Sequence, residues 1–180
     1  MADPILSAKR ATLESFLADY DPGVTPKFTS ASTGQTVLFG ALANKDPHAR
    51  AAIANRLLDD GADAAVVSSS GVSLLHVLLG QRAHDPGLEG PLLRRLLEGG
   101  APINKLDSRE GAPLGMLYRL STLSDEDRIP MYEAFFDRPD LDLDARATTT
   151  HTIRELIEKA AENRPLPHRL MLDHDARRGA

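Results

Sequence analysis

Paired bulky apolar residues recur at a fixed interval along this chain. Leu57-Leu58, Leu96-Leu97 and Phe135-Phe136 stand thirty-nine residues apart. Each pair is followed by a turn at the same interval: Gly61-Ala62-Asp63, Gly100-Ala101-Pro102 and Pro139-Asp140-Leu141. After a short polar run the chain starts again, at Gly34–Phe39, Gly71–His76, Glu110–Gly115 and, more loosely, Thr149–Ile153. A period of this length means that each unit is one supersecondary element. Such a unit cannot hide its apolar stripe alone, so neighbouring units must stack into a continuous core.

Within a unit the pattern reads as helix, loop, helix and extended turn. Leu74, Leu75, Leu78 and Leu79 keep helical spacing in the first helix, and Leu92, Leu93, Leu96 and Leu97 do so in the second. Gly99-Gly100 ends that second helix, because glycine takes the left-handed conformation without steric cost. Pro91 and Pro130, also thirty-nine apart, are read as second-helix starts, since a first-turn N–H has no intrahelical partner. The predicted organisation is an N-terminal capping helix and linker over 1–33 and repeats over 34–163 (34–70, 71–109, 110–148 and a partial 149–163). A C-terminal cap or tail fills 164–180. Ser7–Tyr20 reads as the capping helix, stopped by Asp21-Pro22-Gly23. Ile153, Leu156, Ile157 and Ala160 form a last amphipathic helix, which Arg164–Pro167 breaks. The tail His168–Ala180 is read either as a cap or as a segment that orders on a partner.

The units resemble ankyrin repeats, in which a Gly-x-Thr-Pro-Leu-His start is followed by a helix ending in Leu-Leu and then Gly-Ala-Asp-Val-Asn. Gly71–His76 matches with Ser73 and Leu74 in place of Thr and Pro, and Gly34–Phe39 keeps Gly, Thr and Leu. Ala112-Pro113-Leu114 keeps Pro-Leu, and Leu96–Asn104 is close to the helix ending. The resemblance covers residues 34 to 163 and departs from the usual period of about thirty-three. The added residues are expected between the helices, in Asn44–Ala51, Gly80–Gly90 and Arg119–Ile129. It implies an all-α, ankyrin-like solenoid of helix-loop-helix repeats with short extended hairpin-like turns, and a structural role for His76 at the turn.

Composition narrows the function. Hydrophobic residues make up 42% of the 180 residues, aromatics only 4%, and there is no tryptophan, so the core is built from Leu, Ala, Ile and Val. The net charge of −5 disfavours nucleic acid and anionic membrane surfaces as partners. With no cysteine, disulfides and thiolate metal sites are excluded. The N-terminus lacks the apolar run of a signal peptide, and no stretch approaches membrane-spanning length, so a cytoplasmic protein is expected.

The candidate chemistry is thin. His48 and His84 each lie beside an Asp-Pro pair, Asp46-Pro47 and Asp85-Pro86, which reads as turn opening before general-base catalysis. Asp173-His174-Asp175 could bind a metal, but adjacent side chains rarely converge on one ion. Asp125-Glu126-Asp127 after Ser124 reads as a solvated helix entry. No phosphate loop, nucleophile elbow or zinc spacing appears. The reading is therefore a non-enzyme without metal or cofactor, monomeric when free, that binds another protein through the concave surface of the solenoid.

The positions expected on that surface are Val67, Ser69 and Val72 in one turn, Leu106, Ser108 and Arg109 in the next, and Arg146 and Thr148 in the one after. Asn44, Lys45, Gln81, Arg82, Tyr118 and Arg119 are expected on exposed parts of the first helices. A narrower form makes the protein an immunity partner or inhibitor of a bacterial toxin, its acidic balance meeting a basic enzyme. The alternatives are a small hydrolase or metal-binding enzyme using the loop histidines, and a subunit that self-associates through apolar tail residues Leu170–Leu172.

Overall fold

The computed structural model describes residues 3–179. Met1, Ala2 and Ala180, which the expected terminal segments include, lie outside the described residues. Among the described residues ten α-helices follow one another: α1 Pro4–Arg10, α2 Leu13–Leu17, α3 Val37–Leu42, α4 Pro47–Asp59, α5 Leu74–Leu79, α6 Pro86–Glu98, α7 Pro113–Arg119, α8 Ile129–Phe136, α9 Ile153–Lys159 and α10 Pro165–Arg178. A 3-10 turn spans Thr25–Lys27. No named strand occurs among the described residues. Extended segments meet only at isolated antiparallel bridges, Thr29 with Thr36, Val67 with Ser73, Asp107 with Gly111 and Arg146 with Thr152.

The helices pair into layers, and the layers pack side by side. The first helices α3, α5 and α7 touch in succession, as do the second helices α4, α6 and α8. At one end α1 packs on α3 and α2 on α4; at the other α10 packs on α8 and α9. The predicted leucine stripes meet along this stack: Leu74, Leu75, Leu78, Leu92, Leu93 and Leu96 have no exposed surface. Removing apolar area from water stabilises at roughly 25 cal/mol per Å², so these shared stripes hold adjacent layers together. No helix among the described residues is long and apolar enough to cross a membrane.

Several expected boundaries move. Ser7–Tyr20 is not one helix, because Ala11 and Thr12 are extended and the Thr12 hydroxyl caps a new helix by accepting from the Ser15 N–H at 3.2 Å. The second helices start earlier than the proline pattern implied. Asp46 and Asp85 cap α4 and α6, so Pro47 and Pro86 are their first residues and Pro91 lies inside α6 on an exposed face. Much of the extra length in 44–51 and 80–90 is thus helix extension rather than loop. Of the three expected insertions, only 119–129 keeps a long stretch without a helix, over 120–128. The residues from 165 to 178 form a complete second helix, with Pro167, Met171 and His174 buried. The partial unit over 149–163 therefore continues into α10, and Pro165 opens a helix as readily as it closes one.

Candidate functional site

Between the turn tips and the ends of the first helices runs a groove made of three adjoining cavities of about 540, 440 and 420 Å³. The first is lined by Lys45 and Gly80–Ala83. The second shares Gly80 and Gln81 with it and reaches Val72, Arg109, Glu110, Met116 and Arg119. The third shares Asp107 and Arg109 and ends at Leu106, Ser108, Arg146, Thr148 and Thr149.

Hydrogen bonds from turn to turn set this wall. The Ser69 N–H and hydroxyl both donate to the Thr33 carbonyl at 2.9 Å, and the Ala112 N–H donates to the Arg146 carbonyl at 2.8 Å. Asp107 accepts from the Arg109 and Glu110 N–H groups of its own turn at 2.8 and 3.0 Å. Those bonds hold its carboxyl below the usual carboxylate range.

Of the residues predicted to face a partner, Lys45, Val72, Gln81, Arg82, Leu106, Ser108, Arg109, Arg119, Arg146 and Thr148 line this groove. Four do not. Val67 is half-buried and pairs with Ser73, and Ser69 turns to the neighbouring turn tip. Asn44 and Tyr118 were expected to be exposed and are buried. The Asn44 amide donates to the Ala8 and Ala11 carbonyls at 3.0 and 2.9 Å, closing the end of α1. The Tyr118 hydroxyl donates to the Leu156 carbonyl at 3.2 Å, and the Arg164 guanidinium lies 3.7 Å from its ring centre. Both positions follow the repeat register, but distant chain folds over them.

Three histidine side chains, those of His76, His84 and His174, are buried against backbone carbonyls. His76 is buried, its Nε2 donating to the Gly111 carbonyl at 3.0 Å and its Nδ1 accepting from Ser73 Oγ at 2.7 Å. That bond explains why Ser73 does not cap α5 with its side chain. His48 stands exposed in the first turn of α4, not in a loop. His174 Nδ1 donates to the Phe136 carbonyl at 2.8 Å, while its neighbour Asp175 pairs with Arg154 at 2.6 Å. His174 and Asp175 therefore point to different partners.

Two buried polar clusters escaped the sequence reading. In the first, Arg50, His84 and Glu89 have no exposed side-chain surface. Arg50 ion-pairs with Glu89 and donates through Nε to the Asn44 carbonyl at 2.9 Å and through Nη1 to the Ala83 carbonyl at 3.0 Å. His84 Nδ1 lies 2.8 Å from the other Glu89 oxygen, and its Nε2 donates to the Gln81 carbonyl at 2.9 Å. Residues 81–83 form the groove wall, so this cluster anchors that wall to α4 and α6.

In the second cluster, Arg128 binds the Tyr118, Leu120 and Leu123 carbonyls, and Arg164 and Arg128 share Asp125 and the Tyr132 hydroxyl. Burial pushes the Tyr132 hydroxyl well above its ordinary value. Arg50, Glu89 and Arg128 stand at the same thirty-nine-residue interval. The signal was therefore present: charged residues recurring at one register position of the second helix.

Hydrogen bonding to Arg164, with a smaller share from Tyr132, holds the Asp125 carboxyl below the usual range. A lowered carboxyl contributes stability that is present above its unfolded value, about 4, and is lost as pH falls through the folded value beneath it. Asp125→Asn is therefore expected to be less stable than the wild-type chain at pH 6 and to close most of that gap near pH 2. Urea midpoints at the two pH values measure it; a gap that widens on acidification would contradict the assignment.

A further cavity, about 310 Å³, lies in the N-terminal layer and is lined by Phe16, Tyr20, Val24 and Phe28 among others. Leu6, Leu17, Val24 and Phe28 are all exposed in that layer. In the tail, Met171 is buried and Leu170 half-buried, which leaves Leu172 as the exposed member of the expected apolar trio.

No protein-family model and no curated protein matches the chain. Among solved structures, the chain is similar to the crystal structure of a functionally unknown protein from Leptotrichia buccalis C-1013-b. The TM-score is 0.75 at 21% identity, over 98% of this chain and 94% of that one. A likeness at this identity concerns the arrangement of the helices.

Proposed function

We propose that this protein is a cytoplasmic protein-binding module built from divergent, lengthened ankyrin-like repeats, with the groove along its turn tips as the binding surface. One observation carries the reading: ten turn-tip and first-helix positions expected at a binding surface line three adjoining cavities that cross several layers. Positions free of packing duties can vary with the partner without cost to the fold. The buried histidines support the same reading, because His76 and His84 are occupied in holding turns and loops. A toxin inhibitor is a narrower form of this proposal, in which the partner is an enzyme whose surface seats in the groove.

Charge reversal at Arg109 and Arg119 tests the surface. Both are exposed, and Arg119 makes only surface contacts with Glu110. Changes at such sites usually move stability by no more than about 0.5 kcal/mol. Arg109→Glu/Arg119→Glu is therefore expected to unfold at nearly the wild-type temperature while losing the proteins that co-purify with the wild-type chain from its source cells. Retention of every co-purifying protein by the variant would remove the groove as the binding surface. The enzyme alternative is tested separately by metal analysis and by replacing His48, whose side chain is 77% exposed and lies 3.9 Å from the Asp85 carboxylate, with alanine.

A further inference from the structure

The groove differs in charge from the rest of the molecule. Its charged lining consists of Lys45, Arg82, Arg109, Arg119 and Arg146 against two carboxylates, Asp107 and Glu110. Asp107 is committed to the N–H groups of its own turn, and Glu110 stands 3.7 Å from Arg119. The net charge of the chain is −5, so its acidic excess lies on the other faces. Outside the groove eight arginines, Arg50, Arg56, Arg94, Arg95, Arg128, Arg138, Arg154 and Arg164, each hold a carboxylate, and Arg177 and Arg178 are committed to the Phe136 and Leu141 carbonyls; Arg10 and Arg169 stand apart from one another on other helices. No carboxylate lies within ion-pair distance of Lys45, Arg82, Arg109 or Arg146 among the described residues. Apolar groups sit between these cations; Val72 and Met116 line the middle cavity, and Leu106 stands 47% exposed at its border.

We infer that the groove takes an extended acidic segment of a partner protein, with carboxylates on Lys45, Arg82, Arg109 and Arg146 and an aliphatic side chain at Leu106 and Val72. This rests on the groove being the binding surface proposed above. Unpaired cations on a wall whose geometry is already set by hydrogen bonds attract an anion without a reorganisation cost, and complementary charge raises the rate of encounter. The length follows from the stack. Lys45 and Arg146 are separated by three layer steps of about 8–10 Å each, which an extended chain of about eight residues spans. A protein segment fits better than a nucleic acid, because Glu110 interrupts the cations and the groove presents no exposed aromatic ring on which a base could stack.

Three fluorescent nine-residue peptides are the probes: alternating Glu-Leu, the same peptide with Gln for Glu, and the same with Lys for Glu. Each is titrated against the full chain by anisotropy. The Glu peptide is expected to bind at least about tenfold more tightly than the Gln peptide and to weaken steeply as salt rises from 50 to about 300 mM. The Lys peptide is expected to stay unbound. Lys45→Glu/Arg82→Glu/Arg109→Glu should remove the advantage of the Glu peptide while unfolding at the wild-type temperature. Equal binding of the Glu and Gln peptides, or displacement of the Glu peptide by a mixed-sequence single-stranded RNA at equal concentration, would overturn the acidic occupant.

The two readings fail differently. If the proteins lost by Arg109→Glu/Arg119→Glu are not competed by the Glu peptide, the groove remains the binding surface and the acidic segment is wrong. If that variant loses nothing, the surface itself is wrong.

Discussion

Replacing Glu89 with alanine is expected to lower the unfolding free energy by about 3–5 kcal/mol, the range for breaking a buried ion pair by removing one partner. Glu89 is the carboxylate that both Arg50 and His84 face inside the stack, and none of the three side chains is exposed. It also accepts from the Asp85 N–H at 3.2 Å. Without it, the Arg50 guanidinium keeps its carbonyl partners Asn44 and Ala83 but has no counter-charge, and His84 Nδ1 loses its partner.

The desolvation of Arg50 is the dominant effect, since an unpaired charge in a low-dielectric interior costs more than a lost hydrogen bond. Arg50→Met/Glu89→Leu is therefore expected to recover much of the loss, as replacing both ions by apolar groups often does. Urea denaturation of the three proteins measures it. A loss below about 1 kcal/mol for Glu89→Ala, the size of a surface pair, would show that the cluster is solvated. Because residues 80–83 line the groove, Glu89→Ala should also speed amide exchange there more than at the turn tips.

The second large effect is expected at Gly111. Its φ is +74°, a conformation that side chains rarely adopt, and an added Cβ would lie 2.6 Å from the Ala147 carbonyl oxygen and 2.7 Å from that of Arg146. The left-handed conformation alone costs a residue with a side chain about 1–2 kcal/mol, and the overlap with backbone adds an overpacking cost of about 1–3 kcal/mol. Gly111→Ala should then lose about 2–5 kcal/mol, the sum at its low end if the neighbouring turn gives way.

Gly61 supplies the control. Its φ is +86°, yet nothing lies within 4 Å of an added Cβ. Gly61→Ala should show the conformational cost without the clash. Thermal and urea unfolding of the two variants separates the contributions; equal losses would mean that the turns at 111 and 147 are not packed as described. The loss at Gly111 should be accompanied by weaker ligand binding, because its carbonyl accepts from His76 and its turn carries Arg109.

Leu106, Ser108, Arg109, Arg146 and Thr148 were placed by register from turn residues and line the groove. A turn whose geometry is local carries its own exposure with it. Asn44 and Tyr118 were placed by the same register and are buried. Their coverings, the end of α1 and Arg164, lie 36 and 46 residues away along the chain. Residues 165–178 gave little sign of a second helix because Pro165 and Pro167 stand at its start, where proline is tolerated although it ends helices elsewhere.

The sequence alone was enough for the repeating unit, its two apolar stripes, its turns and the all-helical class. These rest on periodicity within a single helix and on the φ preferences of glycine and proline, which act between residues close in the chain. Only the tertiary structure decided which charged residues are buried. Arg50, Glu89 and Arg128 look like ordinary solvated side chains when read along the chain, because a charge stays in water unless its partner is supplied. Here the partners come from adjacent layers or from the far side of a loop. The continuity of the basic groove was decided in the same way, since it exists only where successive layers bring their turn tips into line.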